Sequence, residues 1–175
     1  KGATIYGTVE CDGVPIEGVV VSDGYEVVTT NKKGVYNIAS EKRNGLVFIT
    51  IPSCYEAPCS GNDPVPAYWA KLSAEPTVAE RHDFVLTKVD NRRHAILAVT
   101  DIHLSNQLDD INQFRNNALP RIRERAEHYR KQGIPVYTIC AGDSSFDLFW
   151  YDFLFDINDF RRLIADEKYP TPFFH

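Results

Sequence analysis

Up to about Lys88, apolar residues come in short runs broken by turn residues, and beyond Arg93 they come in longer runs of a different period. The first set comprises Thr4–Val9, Gly18–Val21, Tyr25–Thr30, Val35–Ile38, Leu46–Ile51 and Asp83–Leu86, all rich in β-branched or aromatic residues. Asp12-Gly13, Asp23-Gly24, Asn31 to Gly34 and Asn44-Gly45 separate them and supply the positive φ that tight turns need. Many short strands at this spacing predict an antiparallel β-sandwich over residues 1–89.

Residues 52–80 interrupt the pattern with five of the ten prolines. Proline removes ladder donors, so a long ordered loop is expected here. Tyr68 and Trp69 within it either pin the loop to the sandwich or form a sugar-stacking platform.

In the second half, His94–Thr100 reads as a continuous apolar strand covered on both faces. Ile111, Phe114, Ala118, Ile122, Ala126 and Tyr129 then recur at near-helical spacing, with Pro120 restarting the helix after a break and Gly133 ending it. Val136–Ala141 is the next strand, so residues 94–143 predict one βαβ unit with parallel strands. The run Phe146–Phe155 is aromatic on every helical face, as in a buried helix or a pocket wall near Asp143.

Parallel strands bring their carboxyl ends to one edge, where α/β folds place ligands. That edge carries Asp101, His103 and Asp143. By strand alternation Asp101 and His103 share a side, and Gly142 is expected to let the backbone beside Asp143 approach closely. Two carboxylates and an imidazole suit Mn, Fe, Zn or Ni. Two such ions bridged by one carboxylate can hold a hydroxide and neutralise phosphoryl oxygens.

Composition narrows the classes further. The 175 residues are 43% hydrophobic, enough for a real core, and carry a net charge of -5, which gives no cationic field for nucleic acid. Arg121, Arg123, Arg125, Arg130 and Lys131 are interleaved with Glu124 and Glu127, as on a solvated helix face. No run is long enough to span a membrane. Cys11, Cys54, Cys59 and Cys140 lack zinc-finger spacing; Cys54 and Cys59 are either a small disulfide or two thiols, and Cys140 reads as core. His82, His94 and His128 have no paired ligand spacing and read as structural.

Two resemblances add to this reading. The order Gly7-Thr-Val9, Gly13-Val-Pro15, Gly18-Val-Val-Val21 and Thr29 to Tyr36 resembles the carboxypeptidase-regulatory or transthyretin-like β-sandwich modules, which implies a non-catalytic accessory domain. Asp101-Ile-His103 and Gly142-Asp143, about forty residues apart and each behind an apolar strand, resemble the first two motifs of the calcineurin-like metallophosphoesterases. The combination is similar to exported phosphohydrolases of Bacteroides-type bacteria. The resemblance implies an αββα-type α/β domain over residues 90–175, with Asp101 and His103 on a first divalent metal ion, Asp143 bridging two, and a phosphoester substrate. It also implies a periplasmic or cell-surface location.

The chain departs from that family in two respects. The third motif, Gly-Asn-His followed by an acidic residue, and the later histidines are absent, and Ser144 stands where an apolar residue is usual. The expectation is therefore a C-terminally truncated phosphohydrolase, inactive as it stands and holding one ion or none. Its incomplete sheet would favour self-association or domain swapping. The alternative is a carbohydrate- or surface-binding β-sandwich module joined to a non-catalytic α/β remnant.

Overall fold

The computed structural model describes residues 2–106, 108–146 and 155–175. Apart from Phe146 and Phe155, the aromatic run expected to form a buried helix lies outside the described residues. The chain forms two compact units: Lys1–Pro58 with Ala67–Arg92, and Cys59–Pro66 with Arg93–His175.

The first unit contains β1 (Ile5–Cys11), β2 (Val14–Pro15), β3 (Val20–Ser22), β4 (Val27–Thr29), β5 (Val35–Ile38), β6 (Leu46–Ile49), β7 (Tyr55–Glu56), β8 (Trp69–Lys71), β9 (Glu80–Arg81), β10 (Phe84–Val85) and β11 (Thr87–Lys88). One sheet is built on β1, with β2, β5, β9 and β10 as its partners; a second has the order β4-β3-β6-β8. The inward residues of β1 alternate with outward ones, and Ile5, Val9, Tyr36, Ile38 and Phe84 of the first sheet share a core with Val19, Val21, Val47 and Ile49. Burying each such aliphatic side chain contributes about 1.5–3 kcal/mol before the entropy of ordering is subtracted.

The pairing is not wholly antiparallel as expected. β1 is antiparallel to β2 and β5 but parallel to β9 and β10. Parallel neighbours need a long crossover, and nearly the whole unit lies between β1 and β9. The backbones are close at this seam: a Cβ on Gly7 would sit 1.8 Å from the His82 carbonyl oxygen, which also accepts the Tyr36 hydroxyl at 2.6 Å. Burial pushes the Tyr36 phenol well above its ordinary pKa and keeps it a donor.

The stretch from 52 to 80 is also more ordered than a loop. Trp69 lies in β8, paired with Phe48, and Tyr68 packs against the core. Lys42, whose side chain is 1% exposed, holds the segment before β9 by donating to Ser73 Oγ at 3.1 Å, to the Glu75 and Val78 carbonyls at 3.0 and 2.8 Å, and to the Glu80 carboxylate. Burial alone would raise the Glu80 carboxyl, but hydrogen bonds from Lys42, His82 and Ser73 outweigh it and hold its pKa at about 2.

The second unit contains β12 (Ala95–Val99), α1 (Asp110–Gln113), α2 (Leu119–Arg130), β13 (Val136–Cys140), α3 (Ile157–Asp166) and β14 (Phe173–Phe174). The sheet order is β12-β13-β14, all parallel. The helical break expected before Pro120 is a π-helical turn, Phe114–Ala118, linking α1 to α2. A proline has no N–H for the carbonyl four residues back and its ring crowds that carbonyl, so widening the preceding turn relieves the conflict. Gly133, at φ 69, ends the helix: its N–H donates to the Arg130 carbonyl, while Ile134 donates to Tyr129.

Asp156 caps α3 with a reciprocal capping box, and the buried face of that helix, Phe160, Leu163 and Ile164, packs with Phe114, Leu119 and Phe173. Segment Cys59–Pro66 completes the unit: Arg161 Nε donates to Asp63 at 2.9 Å, and Phe173 N–H donates to the Pro64 carbonyl at 2.9 Å.

The strands are not buried on both faces. Ile96 is 50% and Ile139 43% exposed, and both lie on the same face by strand register. The described helices cover the opposite face, where Thr138 and Phe173 are fully buried. Cys54 is a thiol, and Cys59 Sγ donates to the Pro64 carbonyl at 3.3 Å, so these two cysteines form no bridge.

Candidate metal centre

β12 and β13 run in register through Val99↔Cys140, and both then turn sharply. Asp101 has φ 52, His103 φ 46, Gly142 φ 122 and Asp143 φ 51. Three non-glycine residues in the left-handed region within two short segments is unusual, because each costs about 1 kcal/mol or more and must be held by its surroundings.

What holds them is a ladder between the two segments. The Asp101 N–H donates to the Gly142 carbonyl at 3.2 Å, His103 N–H to Asp143 at 2.9 Å and Leu104 N–H to Ser144 at 3.2 Å. Phe146 N–H returns a bond to Leu104 at 2.8 Å.

Strand alternation is therefore not what brings Asp101 and His103 to one side. β12 has ended at Val99, and two left-handed residues turn both side chains toward Asp143. Nor does Gly142 serve a close approach: a Cβ there meets nothing within 4 Å, and glycine is required by φ alone.

As a result, one ligand atom from each of Asp101, His103 and Asp143 lies within 4.8 Å of the others, and all three residues are exposed. They form the one such group of three or more among the described residues. His103 Nε2 stands 3.7 Å from Asp101 Oδ1, and the His103 ring meets the edge of Phe146 at 5.6 Å. The donor set suits a divalent cation: two carboxylates and an imidazole converge, and among the described residues neither carboxylate is neutralised by Lys or Arg.

Beneath the turn, Cys140 is core as expected. Its Sγ lies 3.1 Å from the buried Ser144 Oγ and 3.4 Å from the Gly142 carbonyl. Ser144, polar where an apolar residue was expected, is thus satisfied within the turn rather than by solvent. A cleft of about 540 Å³ opens beside Asp143, between Gly142, Ser145, Ile157 and His175.

Thr100 is a residue the sequence reading passed over. Its hydroxyl donates to Asp101 Oδ2 at 2.6 Å, and the only local signal for it is a hydroxyl residue beside a candidate ligand.

Comparison with known proteins adds a separate observation. Residues 3–89 match the family model described as the N terminal of calcineurin-like phosphoesterase. Over that region the chain is similar to the N-terminal part of calcineurin-like phosphoesterases. No curated protein and no solved structure matches the chain. The matched region ends before Asp101, so the family match and the Asp/His/Asp cluster are independent of each other.

Proposed function

We propose that the second unit contributes Asp101, His103 and Asp143 to a divalent-metal centre for phosphoester hydrolysis. The observation that carries this reading is the convergence of those three ligand atoms within 4.8 Å, in a chain whose residues 3–89 match the family model for the N terminal of calcineurin-like phosphoesterase. A bound divalent ion would polarise a phosphoryl oxygen and make water more acidic. The chain's own contribution is to hold the donors ready: the backbone ladder fixes both segments, and the exposed edge with its adjoining cleft leaves room for a phosphoester.

Three protein donors are a set for one ion. The proposal therefore includes that the 175-residue chain by itself turns over little or no phosphoester, and that a second ion requires donors beyond these three. Mn, Fe, Zn and Ni all suit the donor chemistry. The finer assignments belong to the same proposal: residues 1–89 as a transthyretin-like accessory sandwich, 90–175 as phosphoesterase domain, and an exported location. Two sheets sharing one core support the first of these.

The binding-module alternative is less well supported. Its suggested platform is not presented to solvent as a pair, since Tyr68 packs against the core and Trp69 is a strand residue.

The test is Mn²⁺ binding by calorimetry, together with Mn²⁺-dependent hydrolysis of an aryl phosphate. The wild type should bind the ion with little turnover, and Asp143→Asn should lose affinity by more than the about 10–100-fold typical of outer-shell changes. Clear turnover that Asp143→Asn abolishes would overturn the inactive reading, and equal Mn²⁺ binding by both proteins would overturn the metal centre.

A further inference from the structure

The two carboxylate oxygens of Asp101 have different surroundings. Oδ2 accepts the Thr100 hydroxyl at 2.6 Å, whereas Oδ1 faces His103 Nε2 at 3.7 Å. The Asp101 side chain is 61% exposed, so packing does little to fix its rotation. Its backbone is fixed by the N–H bond to Gly142 and the left-handed φ. The remaining freedom is rotation of the side chain about χ1 and χ2, and Thr100 is placed to restrain it.

From this geometry we infer that Thr100 is a positioning residue that makes Asp101 a one-oxygen ligand through Oδ1, an inference that rests on the metal-centre reading above. A hydroxyl bond to an ionised carboxylate is among the stronger hydrogen bonds, and 2.6 Å lies in its usual range. The β-branched threonine is stiff at χ1, so its hydroxyl is presented with few alternatives. With Oδ2 engaged by the hydroxyl, Oδ1 is the oxygen that faces His103. Without the hydroxyl, the carboxylate can rotate to offer both oxygens or swing toward solvent, and the imidazole and Asp143 lose a defined third partner. Thr100 touches no ion itself; it acts through Asp101.

The test compares wild type, Thr100→Val, Thr100→Ser and Asp101→Asn in the full chain. Mn²⁺ affinity is read by calorimetry, and the visible spectrum of the Co²⁺-loaded protein reports coordination number. Thr100 is exposed and Val is nearly its shape, so the melting temperature should hold and serves as the control for folding. Thr100→Val should weaken Mn²⁺ binding about tenfold or more, as loss of an outer-shell partner typically does. It should also change the Co²⁺ band shape, while Thr100→Ser keeps the wild-type values because it restores the hydroxyl. Wild-type affinity and spectrum in Thr100→Val, alongside loss of binding in Asp101→Asn, would overturn the role of Thr100 and leave the metal centre standing. Unchanged binding in Asp101→Asn, or no uptake of either ion by wild type, would overturn the metal centre and this inference together.

Discussion

The His103 amide donates to the Asp143 carbonyl at 2.9 Å, so two candidate ligands from different strands are joined through main chain. Each is left-handed, and the bond between their backbones is part of what keeps them so. The backbones that carry these two side chains are therefore tied to each other directly.

Glycine substitutions should separate strain from clash. Gly142→Ala places a side chain at φ 122 with no neighbour to strike, so its cost should be backbone strain of about 1–3 kcal/mol. Urea denaturation should show that loss, and Mn²⁺ affinity should fall with it because Gly142 anchors Asp101. Gly7→Ala drives a Cβ into the His82 carbonyl, and should exceed the Gly142→Ala loss or prevent folding of the first unit.

The Lys42 latch should make the stability of the first unit depend on pH. Because the Glu80 pKa lies below its ordinary 4.5, the folded state favours the ionised form. That contribution is complete above about pH 4.5 and is lost as pH falls toward 2. Denaturant midpoints measured across this range should fall less steeply in Glu80→Gln than in wild type. Lys42→Met should cost about 1–3 kcal/mol at neutral pH, because it leaves the Glu75 and Val78 carbonyls without this donor, while Glu80 keeps its bonds to Ser73 and His82.

Asp63→Ala should loosen Cys59–Pro66 without unfolding the second unit. The Arg161–Asp63 pair is partly exposed, so a stability loss of about 1 kcal/mol or less is expected. Limited proteolysis is the more sensitive measurement, with faster cleavage between 59 and 66 as the predicted result.

Sheet exposure leads us to propose self-association between copies of this chain. β12 has a strand neighbour on one side only among the described residues, and Ile96 and Ile139 are exposed on one sheet face. Sedimentation velocity should show concentration-dependent association that Ile139→Lys reduces. A clean monomer at high concentration would count against it.

Much of this was legible in local pattern. Val35–Ile38 is a strand with the bounds its β-branched residues indicate, and the helix ends at Gly133 because a left-handed residue is needed there. Other features had no local mark. β8 and β9 lie where proline and polar residues suggested loop, since short strands are stabilised by the partners they meet. The parallel pairing of β1 with β9 joins segments some seventy residues apart, and no run of neighbours encodes it.

By itself, the sequence determined which residue types stand at the carboxyl ends of two apolar strands, and hence that Asp101, His103 and Asp143 could share an edge. Strand-forming runs, glycine turns and side-chain donors are properties of short stretches, so they can be read there. Tertiary structure decided how the edge is used: left-handed backbone at all three candidates, a ladder tying one segment to the other, Thr100 on one oxygen of Asp101, and Cys59–Pro66 in the second unit. Each of these depends on backbone conformation or on bonds between residues distant in the chain, and such conformations become favourable only when the partner segment is already in place.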